Sequence, residues 1–254
     1  MRYIEKHHDA PIVVQHEQEL SQAGLDEASL TTRKATGEKL DGSTLYKKIR
    51  STENIPHWQL LKDYLNEEQG GVCCYCGAKL QYPDTGHYSV EHVRPRSKYP
   101  ELVGEYRNLL LSCHCSESER ADINNNVHNR RDRLRLLHCD EYKKDEELHY
   151  TPLDADCPKH FSYKIDGSVQ GDSKEANSDI ATLNLNCKAL QDRRREQMLS
   201  YLFAETANGP EMLDKDSLSA FRRAVGQRGT DGNYCEFYFV IADIIDQLLN
   251  PKED

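Results

Sequence analysis

The 254-residue chain has no apolar run approaching the roughly 20 residues that a membrane span needs. Its opening, MRYIEKHHDAPIVVQHEQEL, lacks an apolar core, so no secretory signal is expected. Internal repeats are missing, and low-complexity composition is confined to the polar stretch 116–135. An excess of positive charge is missing too. Lys and Arg number 33 against 43 Asp and Glu, a net charge of −10. That balance argues against free, high-affinity binding to nucleic acid, which depends on neutralising phosphates. It is compatible with a local basic site, or with a partner that delivers the chain to its substrate. With 30% charged and 37% hydrophobic residues, the composition is that of an ordinary soluble, cytoplasmic protein. The length suits one large domain, or a compact core with a helical appendage.

Cysteine, in contrast, is plentiful and unevenly spread. There are nine, an odd number, and five lie between Cys73 and Cys115. In a reducing compartment such clusters bind metal more often than they form disulfides. The stretch GVCCYCGAKL, residues 71–80, holds three of them. Cys73-x-x-Cys76 is half of a tetrahedral metal site, because two intervening residues let a tight knuckle turn both sulfurs toward one ion. The same spacing serves a thioredoxin-like redox pair, which opens a helix after a strand. Here the pair follows a helix. In PHWQLLKDYLNEEQGG, Pro56 fits the first turn, Trp58, Leu61 and Leu65 recur at helical spacing, and Gly70-Gly71 stop the helix. The turn-rich GAKLQYPDTG that follows also disfavours a redox pair. A metal half-site and plain buried thiols both remain open on this stretch alone. Cys157-Pro158-Lys159-His160 has ligand-like spacing but no second half, and reads as structural.

Residues 1–50 carry few apolar anchors and read as an extended, partly ordered arm. YSVEHV alternates as a short strand and YRNLLLSC reads as a second, with a Pro- and Gly-containing loop between them. An irregular insertion follows Cys113, and HCDEYKKDEEL reads as the start of a helix. HFSYKIDGSVQ reads as a hairpin about Asp166-Gly167. NCKALQDRRREQMLSYLFAETA and YCEFYFVIADIIDQLL are amphipathic helices, the second a core helix. The expected organisation is an arm over 1–50, a core over 51–175 and a helical region over 176–254.

Four motifs occur in order: Cys73-x-x-Cys76, Glu91-His92-Val93-Arg94-Pro95, Arg107-Asn108-Leu109 running to Cys113, and His138-Cys139-Asp140-Glu141-Tyr142-Lys143. Together they resemble the zinc-bearing HNH endonuclease superfamily, whose generic series is C-x-x-C, [DE]-H-[IV]-x-P, N-L and C-x-x-C-[NH]-x-x-K. The chain looks closer still to the PtuB-type HNH nucleases of Septu and retron antiphage systems. That likeness lies in EEQGGVCCYCG, EHVRPRSKYPEL, YRNLLLSC and the DG hairpin followed by TLNLNCKAL, and it covers about residues 50–205. The resemblance implies an α+β fold: a ββα-metal nuclease core stapled by a structural zinc knuckle and surrounded by helices. It implies a phosphodiesterase acting on nucleic acid, with structural Zn²⁺ and a catalytic Mg²⁺ or Mn²⁺. It also implies a PtuA-type ATPase partner and, in retron versions, a reverse transcriptase with its RNA–DNA product.

Residue by residue, the resemblance makes His92 the general base. A histidine titrates near neutral pH and can take a proton from water. Glu91 becomes a ligand of the divalent ion, and Asn108 braces the loop that carries the base. The family's Asn or His after the last cysteine is replaced here by Asp140, with Glu141 next to it. Either carboxylate suits a hard cation. The implied zinc ligands are Cys73, Cys76, Cys113 and Cys139, with 114–137 looping out and Cys115 as a rival to Cys139. Cys74, Cys187 and Cys235 are then core thiols. Arg94, Arg96, Lys98, Arg130 and Arg131 suit a phosphate-facing rim, since arginine forks onto phosphate oxygens without reading sequence. Asp192-Arg193-Arg194-Arg195-Glu196 reads as a salt-bridged helix surface. A zinc-stapled assembly module without catalysis is the alternative, since such a module needs only the cysteines.

Overall fold

The computed structural model describes residues 1–83, 87–114, 137–206 and 209–251. The first fifty residues form three helices, where the sequence pattern suggested an extended arm: α1 (Pro11–Ala23), α2 (Glu27–Ala35) and α3 (Gly42–Ile49). Helix α1 starts at a proline, and the starts of α2 and α3 are fixed by side-chain caps. Asp26 accepts from the Ser29 amide, and Asp41 accepts from the amides of Ser43 and Thr44. The apolar stripe of α1 is Val13, His16 and Leu20, all buried. The stripe is hard to see in the sequence because a histidine occupies its middle position.

The His16 Nε2–H donates to the Gly104 carbonyl at 2.8 Å, and Nδ1 is buried without a partner among the described residues. Burial lowers the pKa of this imidazole. An unfolded histidine titrates near 6.5. Below that pH the unfolded chain takes up a proton that the folded chain refuses, so the stabilisation is complete above about pH 6.5 and is lost as pH falls toward the folded pKa. Thermal melts from pH 7 to 5.5 should show a falling midpoint, with His16 contributing at most about 1.4 kcal/mol per pH unit. His16→Gln should flatten that dependence. An equally steep dependence in the variant would remove His16 as its source.

Helix α1 packs on α4 (Trp58–Gln69). Helix α4 ends at Gly70, whose φ of 60° forms the left-handed cap, and delivers the chain into the cysteine stretch. The amide of Cys73 donates to the Ala78 carbonyl at 2.8 Å and the Gly77 amide to the Cys73 carbonyl at 3.2 Å, which closes a knuckle. Gly77 sits at φ 83°, and a Cβ there would stand 2.6 Å from the Phe239 ring.

Strands β1 (Tyr88–His92) and β2 (Leu109–Cys113) pair antiparallel, with Glu91 opposite Leu110 and His92 opposite Leu109. The outer edge of β2 is met by the buried Gln69 side chain. Its Nε2 donates to the Leu111 carbonyl at 2.9 Å, and its Oε1 accepts from the Leu111 amide at 2.6 Å. A side-chain amide thus stands in for a third strand and ties α4 to the sheet.

The helix expected from Asp140 onward is a single turn, α5 (Asp140–Lys143). Strands β3 (Phe161–Tyr163) and β4 (Val169–Gly171) form the expected DG hairpin. Helices α6 (Lys174–Thr182) and α7 (Lys188–Leu202) follow. The amphipathic pattern of α7 suggested a longer helix, but the chain turns extended at Phe203 and enters the hairpin β5 (Phe203–Thr206) and β6 (Gly209–Met212). Helix α8 (Lys215–Val225) then packs on α9 (Tyr238–Leu249), which buries Val240, Ile241, Ile244 and Ile245 and also contacts α7 and β3. The described chain is therefore α+β, with small antiparallel sheets set among helices.

The arginine run on α7 is not uniformly a surface. Arg193 pairs with Glu236, but Arg194 is buried and donates to the carbonyls of Leu185 and Leu190. It satisfies backbone acceptors near the helix start, a role its local sequence does not betray.

Candidate metal centre and adjoining cleft

Three separated segments bring Cys73, Cys76, Cys113 and Cys139 together. The knuckle supplies the first two, the end of β2 the third, and the residue preceding α5 the fourth. All four are buried, and their sulfurs lie within 4.8 Å of one another. The Cys76–Cys113 and Cys73–Cys139 sulfur separations are 3.5 and 3.9 Å. These bracket the ~3.8 Å edge of a tetrahedron built on Zn–S bonds of about 2.3 Å. The Ala78 amide points at the Cys76 sulfur at 3.4 Å, as the outer contacts of a thiolate ligand require. Cys139 holds a φ of 54°, which a side chain disfavours.

Four buried thiols this close cannot all ionise against one another. Burial opposes ionisation at Cys73, but contacts donated by Cys113 and Cys139 bring its pKa well below the ordinary thiol value. Cys139 goes the other way, pushed well above it by burial and by Cys113. A divalent cation removes this conflict, so the donor set suits a metal such as zinc. Cys115 lies outside the described residues. Cys74 is buried beside Cys73 but is not one of the four clustered sulfurs, and its amide donates to the Leu111 carbonyl at 3.1 Å. Cys157 and Cys187 are also buried, and Cys235 is half-buried.

Next to the cluster, the end of β1 and the start of α5 form a cleft of about 280 Å³. Glu91, His92, Arg96, Asp140 and Glu141 are among its lining residues. The His92 Nε2–H donates to the Val103 carbonyl at 3.1 Å, and the ring meets Tyr46 edge-on at 4.9 Å. A carbonyl can only accept, so Nε2 carries the proton and Nδ1 has the lone pair. Burial, reinforced by the Arg96 charge, lowers the His92 pKa to about 4. The imidazole is thus neutral at pH 7.

Glu91 Oε1 accepts from the Tyr75 hydroxyl at 2.6 Å and from the Lys143 ammonium at 2.8 Å. Burial and the Asp140 carboxylate push the Glu91 pKa well above the ordinary range, against the pull of Lys143. Asp140 is oriented by the Ser89 hydroxyl, which donates to Oδ2 at 2.6 Å. Both acids that the sequence offered after Cys139 therefore face the cleft.

Asn108 stands behind it. Its Oδ1 accepts from the Arg94 amide at 2.7 Å, and its Nδ2 donates to the carbonyls of Arg94 and Leu102 at 3.1 and 3.2 Å. It clamps the chain leaving β1 to the turn before β2 and does not line the cleft of His92.

The expected basic rim divides. Arg94 and Lys98 close onto Glu147 at 2.7 and 3.5 Å, whereas Arg96 lies over the Tyr46 ring at 5.0 Å. Arg130 and Arg131 lie outside the described residues. Sequence reasoning missed Tyr75 and gave Lys143 no role beyond a motif match. The aromatic between two ligand cysteines was the available signal for Tyr75.

No helix among the described residues is long and apolar enough to cross a membrane. No protein-family model matches the chain, and no curated protein matches it.

Proposed function

We propose that the protein is a metal-dependent endonuclease of the HNH type, with β1, β2 and α5 as a ββα-metal core stapled by zinc. We propose further that it is the effector subunit of a Septu- or retron-type antiphage complex, working with a PtuA-type ATPase and, in a retron, with a reverse transcriptase and its RNA–DNA product. One observation carries the nuclease reading: a neutral histidine and four carboxylates, those of Glu91, Asp140, Glu141 and Asp145, line one cleft beside the buried cysteine cluster.

His92 Nδ1 takes the proton of a water that attacks a phosphodiester phosphorus. The Val103 carbonyl fixes the tautomer that makes this possible. Asn108 holds the loop next to the base in place. Asp140, with Glu91 or Glu141, offers hard oxygen ligands for Mg²⁺ or Mn²⁺. Such an ion, when bound, neutralises charge on the scissile phosphate and the departing oxygen. Arg96 reaches the same cleft and suits a phosphate oxygen.

The test is cleavage of plasmid DNA and of cellular RNA by the full chain with Mg²⁺ or Mn²⁺, alone and with its ATPase partner. His92→Ala should lose at least about 100-fold in rate, the lower end of what a general base contributes, while melting near the wild-type temperature. If neither protein affects nucleic-acid integrity in either setting, a zinc-stapled assembly module is the better reading.

A further inference from the structure

A second cleft, of about 300 Å³, lies beside the first and shares Val90, Arg96 and Asp140 with it. Its opposite wall comes from the N-terminal helices. Tyr46 and Arg50 stand at the end of α3, and Trp58 and Lys62 belong to α4. The guanidinium groups of Arg50 and Arg96 lie over the Tyr46 ring, 5.5 and 5.0 Å from its centroid. The same ring meets His92 edge-on, so one aromatic side chain links both arginines to the candidate base.

The charge here runs against that of the whole chain. Among the described residues, Arg50, Lys62 and Arg96 make no ion pair, while their neighbours Arg94 and Lys98 both close onto Glu147. Among the described residues lining this cleft, Asp140 is the one carboxylate, and it stands where the two clefts join. Burial lowers the Lys62 pKa, and repulsion from Arg50 adds to the effect, with Asp63 opposing. Like charges gathered around one concave cleft call for an anion with several charges. Guanidinium groups laid on an aromatic ring are pre-organised and lose little freedom when they fork onto phosphate.

We propose that Arg50, Lys62 and Arg96 form a phosphate-binding groove that continues from the candidate active cleft and holds the sugar–phosphate backbone of the substrate strand. The identity of the polyanion rests on the nuclease reading above. The groove gives the N-terminal helices a part in substrate binding, by residues that no sequence motif marks.

The experiment measures anisotropy of labelled oligonucleotides with the full chain in the His92→Ala background, which leaves the probe uncut. Single-stranded DNA, single-stranded RNA and duplex DNA of one length are compared, and the tightest binder names the source of the backbone. Adding Arg50→Ala and Lys62→Ala should raise Kd at least about tenfold and reduce the slope of log affinity against log salt by about 1.4, at roughly 0.7 per lost phosphate contact on a single strand. The charge-conserving pair Arg50→Lys and Lys62→Arg should stay within about threefold of the parent. Lys188→Ala, which removes a cation paired with Asp192 on α7, should leave Kd and slope unchanged. An unchanged Kd and slope in the alanine pair overturns the groove. So does a charge-conserving pair that falls as far as the alanine pair, and so does a parent that binds no probe or binds polyglutamate equally well. With His92 intact, the alanine pair should raise KM for cleavage and leave kcat within about threefold. Unchanged KM beside His92-dependent cutting refutes the groove and spares the nuclease. Cutting that survives His92→Ala refutes the proposed base and spares the groove.

Discussion

Cys73→Ser is expected to lose bound zinc and the cooperative fold of the central region, while Cys74→Ala, one residue on, keeps both. The two thiols are equally buried, and only the first belongs to the four-sulfur cluster. The cluster joins three segments that are far apart in the sequence: the knuckle, the end of β2 and the residue before α5. Helix α5 is one turn long, without a side-chain cap, and begins after a residue held at φ 54°. A four-residue helix has no stability of its own in water. Its position rests on tertiary ties: the Cys139 thiolate at its start, the Ser89 hydroxyl on Asp140 and the Lys143–Glu91 pair. Structural zinc sites contribute on the order of 10 kcal/mol, comparable to the whole stability of a domain. Removing one thiolate forfeits most of that, whereas trimming Cys74 to alanine costs about 1 kcal/mol. Zinc content by elemental analysis and melting by circular dichroism give the two readouts. A strong chelator should reproduce Cys73→Ser, and Cys115→Ser should keep its zinc. Stoichiometric zinc and an unchanged melt in Cys73→Ser would refute the cluster as a structural site.

Features set by neighbouring residues were legible in the sequence. The Gly70 stop, the β1 and β2 pair and the Asp166-Gly167 hairpin all depend on a few adjacent positions. So did the order of the cysteines, which the fold gathers across 66 residues. What escaped depends on distant partners. Arg194 looks like part of a surface run until the carbonyls of Leu185 and Leu190 are in place. Helix α1 was hidden because His16 interrupts its apolar pattern, and that buried ring is met by the Gly104 carbonyl, 88 residues away. In the candidate site, His92 and the following acids stood out as residue types. The carbonyl that sets the His92 tautomer and the ammonium that faces Glu91 did not, because each belongs to another segment.

Lys143→Met is expected to destabilise the protein by about 3–5 kcal/mol, the usual result of removing one member of a buried ion pair. Lys143 and Glu91 side chains are 0% and 2% exposed, with 2.8 Å between ammonium and carboxylate. Lys143 also donates to the His92 carbonyl at 3.4 Å, so one ammonium steadies both residues at the end of β1. Without it, Glu91 keeps only the Tyr75 hydroxyl, faces the Asp140 carboxylate and takes up a proton to escape the conflict. The cleft then loses a negative charge, and its affinity for a divalent ion falls. Glu91→Gln alone leaves the ammonium buried without its carboxylate and should cost a similar amount. The double variant Lys143→Met with Glu91→Gln should recover much of the loss, because a neutral pair of similar volume needs no compensating charge. Its cleavage activity should not recover, since the carboxylate is gone. Denaturant midpoints for wild type, both single variants and the double give the coupling energy, and Mg²⁺ or Mn²⁺ titrations of cleavage give the ion requirement. Recovery of stability without activity separates the structural role of the pair from the chemical role of Glu91. Recovery of both would make Glu91 a purely structural acid and leave the divalent ion to Asp140 and Glu141.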